Sequence, residues 1–152
     1  MANVVYNEYK NNLILGSTPF SAATTAFGVY LVTSGYTPTE GDTFSDTSTY
    51  EVSTAGYSRQ QLSGVTVTKV EVGGGATGVD DYYKVDATDS AFGPNVTITA
   101  AGAIVFQKDT NLTNTPTSIV TFVDFSGSKS SSNGDFTVVW NANGILNFKQ
   151  GA

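Results

Sequence analysis

The chain has 152 residues, with 13 acidic and 7 basic side chains, a formal net charge of −6, and neither cysteine nor histidine. These counts exclude disulfides, thiolate metal sites and every catalytic arrangement that needs a cysteine or a histidine, such as a Ser-His-Asp triad. Nucleic-acid binding depends on clustered lysine and arginine side chains, and because the sequence contains no such cluster we expect no nucleic-acid partner.

The length predicts one domain, which we take to span residues 1–152. A chain of this size can bury roughly two-thirds of its unfolded surface without disulfides or metals. The first residues lack the basic and apolar regions of a secretory signal peptide, and no apolar run reaches the roughly 18 residues of a membrane span. We therefore expect an acidic protein that is made in the cytoplasm and has no membrane partner.

The first segment, "NVVYNEYKNNLILG", is the one helix candidate. Apolar residues recur in it at helical spacing from Val5 to Leu15. Asn3 is a candidate N-cap, and Gly16 lies where a C′ glycine would end the helix. The pattern predicts an α-helix over about residues 3–15.

After this segment the pattern changes to the period of two that is typical of a β-strand. In "TAFGVYLVT" both sets of alternating side chains are apolar enough to be buried. The two sets are Phe27, Val29 and Leu31 on one face and Gly28, Tyr30 and Val32 on the other. This stretch predicts a central strand that is packed on both sides.

Residues 33–64 form a long polar excursion, and loops of this length usually have a function or contain an additional strand. Strand patterns then return at "GVTVTKVEV", "DDYYKVDA", "NVTITA", "GAIVFQKD", "TSIVTFVDF", "DFTVVWNA" and "GILNF". Turn signals such as Gly93-Pro94 and Asn143-Gly144 separate them. The predicted fold class is mainly β, an antiparallel β-sandwich or barrel with one short N-terminal α-helix.

One stretch imitates a catalytic motif, because Ser126-x-x-Lys129 has the nucleophile–base spacing of serine acylases. That chemistry also needs a helix at the serine and a K-T-G element, whereas here a strand pattern precedes the serine and K-T-G is absent from the sequence. We interpret "FSGSKSSSNGDFTVVW" as two strands joined by a hairpin loop that Asn133-Gly134 closes.

A second stretch imitates a nucleotide-binding motif, because Gly73, Gly75 and Gly78 satisfy G-x-G-x-x-G after a strand pattern. The dinucleotide fingerprint requires a helix next, and the alternating sequence that follows predicts a flexible hairpin connection instead. We therefore expect no cofactor. Because neither motif predicts a working site, we also expect no catalytic residues and no enzyme activity.

Acidic side chains cluster in two places, and calcium favours loop carboxylates. The clusters are Glu40, Asp42 and Asp46, and Asp80, Asp81, Asp86 and Asp89. Neither cluster fits a calcium-loop motif, and no particular pair of acids is indicated as the catalytic pair of a glycosidase. We therefore predict no metal site.

Aromatic residues are numerous, with eight tyrosines, nine phenylalanines and one tryptophan. Tyrosines outside strands provide rigid, amphipathic contact area that is common at protein interfaces. The sequence predicts as partner contacts Tyr6, Tyr9, Tyr36, Tyr50 and Tyr57. The alternative, in which the excursion simply packs back onto the sheet, is equally consistent with the sequence.

Several stretches together resemble a family of small structural proteins of tailed bacteriophages. They are, in order, "MANVVYNEYKNNLILG", "VYLVTSGYTPTEGD", "EVSTAGYS", "TITAAGAIVFQKDT" and "FSGSKSSSNGDFTVVWNANGIL". The resemblance spans nearly the whole chain, and its most specific part is the last stretch. The present chain has a longer glycine-rich connection at residues 73–78 than the family pattern.

The resemblance implies a virion component, most specifically a head decoration (cement) protein that docks on the major capsid protein. It implies no catalytic motif, and it implies a structural turn at residues 129–134. We expect a closed homo-oligomer, such as a trimer, on the head surface, with the N-terminal helix or the excursion as the docking surface. The alternatives are a tail or fibre-associated virion protein and a host-surface or carbohydrate-binding module.

Overall fold

The computed structural model describes residues 2–16, 26–72 and 82–149. Its helices are α1 (Asn7–Ile14) and α2 (Phe44–Thr47), the latter followed by a 3-10 turn at Ser48–Tyr50. Its strands are β1 (Val4–Val5), β2 (Phe27–Val32), β3 (Gln60–Gln61), β4 (Thr66–Val70), β5 (Tyr82–Asp86), β6 (Ser90–Ala91), β7 (Val96–Gln107), β8 (Ser118–Gly134), β9 (Thr137–Val138) and β10 (Leu146–Lys149).

The strands form three sheets, and every pair of neighbouring strands is antiparallel. The main sheet has the order β1-β8-β7-β2-β3, a second sheet has the order β10-β5-β4, and β6 pairs with β9. The predicted mainly β, antiparallel fold class is confirmed, and the packing of the sheets is that of a sandwich. The glycine-rich motif at residues 73–78 lies outside the described residues.

Strand β2 is buried on both faces, as its sequence predicts. Phe27, Val29 and Leu31 join a core that also contains Trp140 and residues of the two smaller sheets. The other face belongs to a second core. The side chains of this second core are Tyr6, Tyr30, Val32, Tyr36, Ile104, Phe106, Ile119 and Phe122. The main sheet is therefore the middle layer of the molecule.

The ladder between β7 and β8 corrects two predictions. The stretches "NVTITA" and "GAIVFQKD" form one continuous strand, β7, rather than two. Residues 126–134 were predicted as a hairpin loop, and the resemblance implied a turn at 129–134, but these residues belong to β8, and Lys129–Ser131 and Gly134 pair with β7. The side chains of residues 126–130 are exposed to water, so this half of the strand shows no alternation of apolar residues from which a strand could be predicted.

The N-terminal helix is shorter than the predicted range of residues 3–15. Val4 and Val5 pair with β8 instead, and the helix begins at Asn7. Asn3 is not the N-cap, because its side-chain oxygen accepts a hydrogen bond from the Asp124 amide at 2.9 Å. The predicted end is confirmed, since Gly16 has a φ of 68° and its amide donates to the carbonyl of Leu13.

The excursion of residues 33–64 contains α2, the 3-10 turn and β3, and Arg59 anchors it to the main sheet. The guanidinium donates to both carboxylate oxygens of Glu51, at 2.8 and 2.7 Å, and to the carbonyl of Leu112 at 3.1 Å. It also lies 5.0 Å from the ring centre of Phe44 and 5.5 Å from that of Phe106. The side chains of Arg59 and Glu51 are only 13% and 16% exposed, so the pair is largely desolvated.

We expect Arg59→Met to lower the free energy of unfolding by about 3 kcal/mol, because it leaves the Glu51 carboxylate largely buried without its charged partner. Methionine preserves most of the apolar stem, so the effect reports on the charge. Lys10→Met is the matched control, because the Lys10–Glu40 pair is 42% and 63% exposed and should contribute below about 1 kcal/mol. Equal losses in urea unfolding of the two variants would contradict the anchoring role.

Candidate functional site

A cleft of about 540 Å³ opens between β8 and the segment that follows it. One wall consists of residues of β8 from Val123 to Ser130, and the other consists of residues from Asp135 to Asn141. Asn3, which precedes β1, lines one end. No residue of β7 lines the cleft.

The β8 wall contains a bulge. Ala100 pairs with Lys129 and Gly102 with Asp124, so residues 125–128 lie opposite Ala101 alone. Within the bulge Ser126 has a φ of 55°, a left-handed conformation that is uncommon for residues other than glycine. The Asp124 carboxylate accepts a hydrogen bond from the Ser126 amide at 3.1 Å and holds this conformation. Bulges redirect side chains and interrupt pairing, and both effects shape the cleft.

The bulge places Ser126 and Lys129 in the same cleft, but not in a catalytic relation. The Ser126 hydroxyl and the Lys129 amine form no hydrogen bond with each other or with any other residue in the described ranges. A lysine base needs a desolvated site and a hydrogen bond to its nucleophile, whereas both side chains here are exposed. The arrangement therefore supplies no nucleophile–base pair.

Along the opposite wall, buried and exposed side chains alternate. Phe136, Val138 and Trp140 are buried, while Asp135 and Val139 are exposed. The Trp140 indole donates to the carbonyl of Thr88 at 3.0 Å, and only 7% of this residue is exposed. The tryptophan lines the cleft but does not present the flat aromatic face on which a sugar ring would stack. This contrasts with the exposed tryptophan expected of a carbohydrate-binding module.

Three of the five tyrosines predicted to contact a partner are internal. Tyr6 and Tyr9 are fully buried and Tyr36 is 3% exposed, so in this structure their rings are not available at the surface. Their rings instead fill the core beneath α1 and the excursion. Neither Tyr6 nor Tyr9 therefore adds an aromatic ring to the surface at the N-terminal helix.

The other two tyrosines lie on the excursion. Tyr57 is half-buried, stacks on Phe92 with ring centres 5.8 Å apart, and accepts a hydrogen bond from the Leu31 amide. Tyr50 is 37% exposed and packs against Tyr36 with ring centres 5.6 Å apart. Of the predicted set, Tyr50 is the side chain that retains a substantial surface for a partner.

A chain of hydrogen bonds links α1 to the excursion. The Tyr36 hydroxyl donates to the Asp42 carboxylate at 2.7 Å, and because this uses its only proton, Tyr6 must donate to Tyr36, also at 2.7 Å. Burial raises the pKa of the Asp42 carboxyl, but bonds from the Thr39 hydroxyl, the Thr39 amide and Tyr36 outweigh it and hold the pKa below its usual value. Burial is also the main cause that raises the pKa of Tyr36.

The acidic clusters do not form a metal site in the described part of the chain. No group of three or more acidic side chains there could hold a metal ion. The Asp46 carboxylate instead accepts from the Thr43 amide and hydroxyl, both at 2.8 Å, and caps α2. Asp80 and Asp81 lie outside the described residues.

Asp42→Asn tests the link between α1 and the excursion through its pH dependence. Because the folded-state pKa of Asp42 lies below the unfolded value of about 3.8, its ionised form stabilises the fold at neutral pH. That contribution is lost as the pH falls below this value. We therefore expect the wild type to be more stable than Asp42→Asn at about pH 6, and the difference to shrink in more acidic solution.

Urea unfolding over this pH range measures the difference. Asp135→Asn is the control, since the Asp135 carboxylate forms no hydrogen bond with a described residue. A difference for Asp42→Asn that stays constant with pH would show that its charge is not coupled to folding.

Comparison of the chain with protein-family models, with curated proteins and with solved structures finds no match. Within the described residues, no helix is long and apolar enough to cross a membrane. The function is therefore inferred from the cleft, from the surface around it and from the resemblance of the sequence.

Proposed function

We propose that this chain is a non-enzymatic structural protein of a bacteriophage virion. Its most specific role would be that of a head decoration protein, which docks on the lattice of the major capsid protein and stabilises the head. It would be made in the host cytoplasm and join the outer surface of the head as a homo-oligomer. A sandwich held together by two cores provides the rigid body that such a role requires.

One observation carries this proposal. The stretch that most specifically resembles the phage structural proteins, residues 125–146, supplies most of the lining of the cleft. A family-specific sequence is expected where the family binds its partner, whereas core positions accept many apolar substitutions. The cleft is therefore the favoured docking surface, in place of the N-terminal helix and the excursion.

The preorganised walls of the cleft fit this role. The bulge of β8 is fixed by the bond between Asp124 and the Ser126 amide, and Trp140 is fixed by its bonds to the backbone of Thr88 and the side chain of Asp89. A rigid surface loses little conformational entropy on binding, so weak contacts of single copies can add up on a repeating shell. A tail or fibre-associated position in the virion uses the same features and is the principal alternative.

Cryo-electron microscopy of virions from the phage that encodes this chain tests the proposal. We expect density that fits the sandwich at regular positions on the head lattice, and loss of that density when the gene is deleted. Virions without the protein should also release DNA at a lower temperature. Density on the tail would select the alternative, and absence of the protein from purified virions would reject both positions.

A further inference from the structure

The β8 wall of the cleft is an open strand edge. Along one side β8 pairs with β7, but on the other side β1 pairs only with Thr121 and Phe122. Asn3 extends this contact as far as the Asp124 amide. From Gly127 to Ser132 this outer edge forms no backbone hydrogen bond with another residue that the structure describes. Residues 127–130 and Ser132 are exposed, so this edge is open to pairing.

The opposite wall is a second open edge. Strand β9 pairs with β6 on one side only, and the flanking bonds of Phe136 and Trp140 go to that same side. Among the described residues no backbone group pairs with the other side of β9. Val139, at this edge, is 72% exposed. Both walls of the cleft thus include a strand edge with unpaired main-chain groups.

Two charged side chains beside the cleft indicate where a strand bound there would carry side chains of opposite charge. Lys129 lies on the β8 wall and Asp135 on the other, and neither forms an ion pair or a hydrogen bond with any residue of the described ranges. Opposite charges facing each other across strands stabilise a pair by roughly 0.2–1 kcal/mol. Val139 and the half-buried Phe125 provide apolar contacts nearby.

We propose that an extended peptide segment of a partner protein binds in this cleft as an additional strand, antiparallel to β8 between Lys129 and Ser132. It continues the ladder that β1 begins, in the same direction as β1, and antiparallel pairing is the more stable kind. Main-chain hydrogen bonds provide the affinity, and an acidic side chain near Lys129 with a basic one near Asp135 provides the specificity.

This inference rests on the proposed function only in taking the cleft as the docking surface. The bulge explains why the position is specific. It removes residues 125–128 from the ladder with β7 and so separates the regular part of the open edge, which begins at Lys129, from the part that β1 covers. Of the other strand edges, β4 and β10 are also exposed, but neither strand contributes a residue to this cleft.

The test uses full-length protein labelled with ¹⁵N and a synthetic peptide of about seven residues, which spans roughly 20 Å when extended. The peptide alternates valine and threonine, carries one glutamate and one lysine, and has blocked ends. We expect amide shifts and slowed hydrogen exchange between Lys129 and Ser132 and at Thr137–Val139. Equal shifts along β4, Thr66–Val70, or no shifts at millimolar peptide would overturn the proposal.

Two variants of the experiment separate strand addition from other kinds of binding. A peptide with N-methyl groups on alternate amides keeps its side chains but loses its edge donors. We expect its affinity to fall at least about tenfold, because each backbone hydrogen bond contributes roughly 1 kcal/mol. Unchanged affinity would show that the main chain does not pair.

Charge reversal tests the polarity of the bound strand. Lys129→Glu should weaken binding of the peptide about fivefold, and a peptide with lysine in place of glutamate should restore it. Lys69→Glu on the exposed strand β4 is the matched control and should leave the affinity unchanged. If both variants weakened binding equally, the effect would come from the net charge of the protein, and the assigned register of the peptide would be wrong.

The outcome is independent of the virion role. A protein that decorates heads but does not bind the peptide would refute strand addition and leave the proposed function in place. A protein that binds the peptide between β8 and β9 but is absent from virions would refute the proposed function and leave the groove as a peptide-binding site of another system.

Discussion

The middle sheet has to be covered on both faces, because β2 and the adjoining part of β7 present apolar side chains to both sides. One face receives the two smaller sheets, and the other receives an excursion that is itself mostly polar. Such a segment can cover an apolar face only if its own polar groups are satisfied. Arg59 achieves this, because one guanidinium lies over aromatic rings, neutralises Glu51 and bonds to the loop carbonyls at Leu112 and Asn114.

Much of the fold could be predicted because apolar residues recur at regular spacing along strands and helices that are partly buried. The alternation from Phe27 to Val32, the turn glycines Gly93 and Gly144 with φ near 88°, and the helix-ending Gly16 all followed from local rules. The outer half of β8 could not be predicted, since backbone pairing holds it while its serines face water. The buried hydrogen bond between Tyr6 and Tyr36 could not be predicted either, because the sequence does not show which partner a tyrosine hydroxyl meets in the fold.

The cleft illustrates a site that is defined by the main chain rather than by side-chain chemistry. Its residues come from one continuous stretch, 123–145, with Asn3 added from the other end of the chain. The motif at Ser126 and Lys129 was recognisable in the sequence, but its meaning depends on a bulge that appears only when β7 and β8 are in register. The left-handed conformation of Ser126 could not be predicted, because a serine in the sequence does not indicate it.

The pairing of β1 with β8 also has a consequence for how the protein is made. Val4 and Val5 leave the ribosome well before their partners Thr121 and Phe122 are added to the chain. At translation rates of roughly 5–20 residues per second, β1 remains unpaired for on the order of ten seconds until β8 has been synthesised. During that interval the rings of Tyr6 and Tyr9 have no core to enter. Chaperone binding and premature association of nascent chains are therefore expected to concentrate at this end of the molecule.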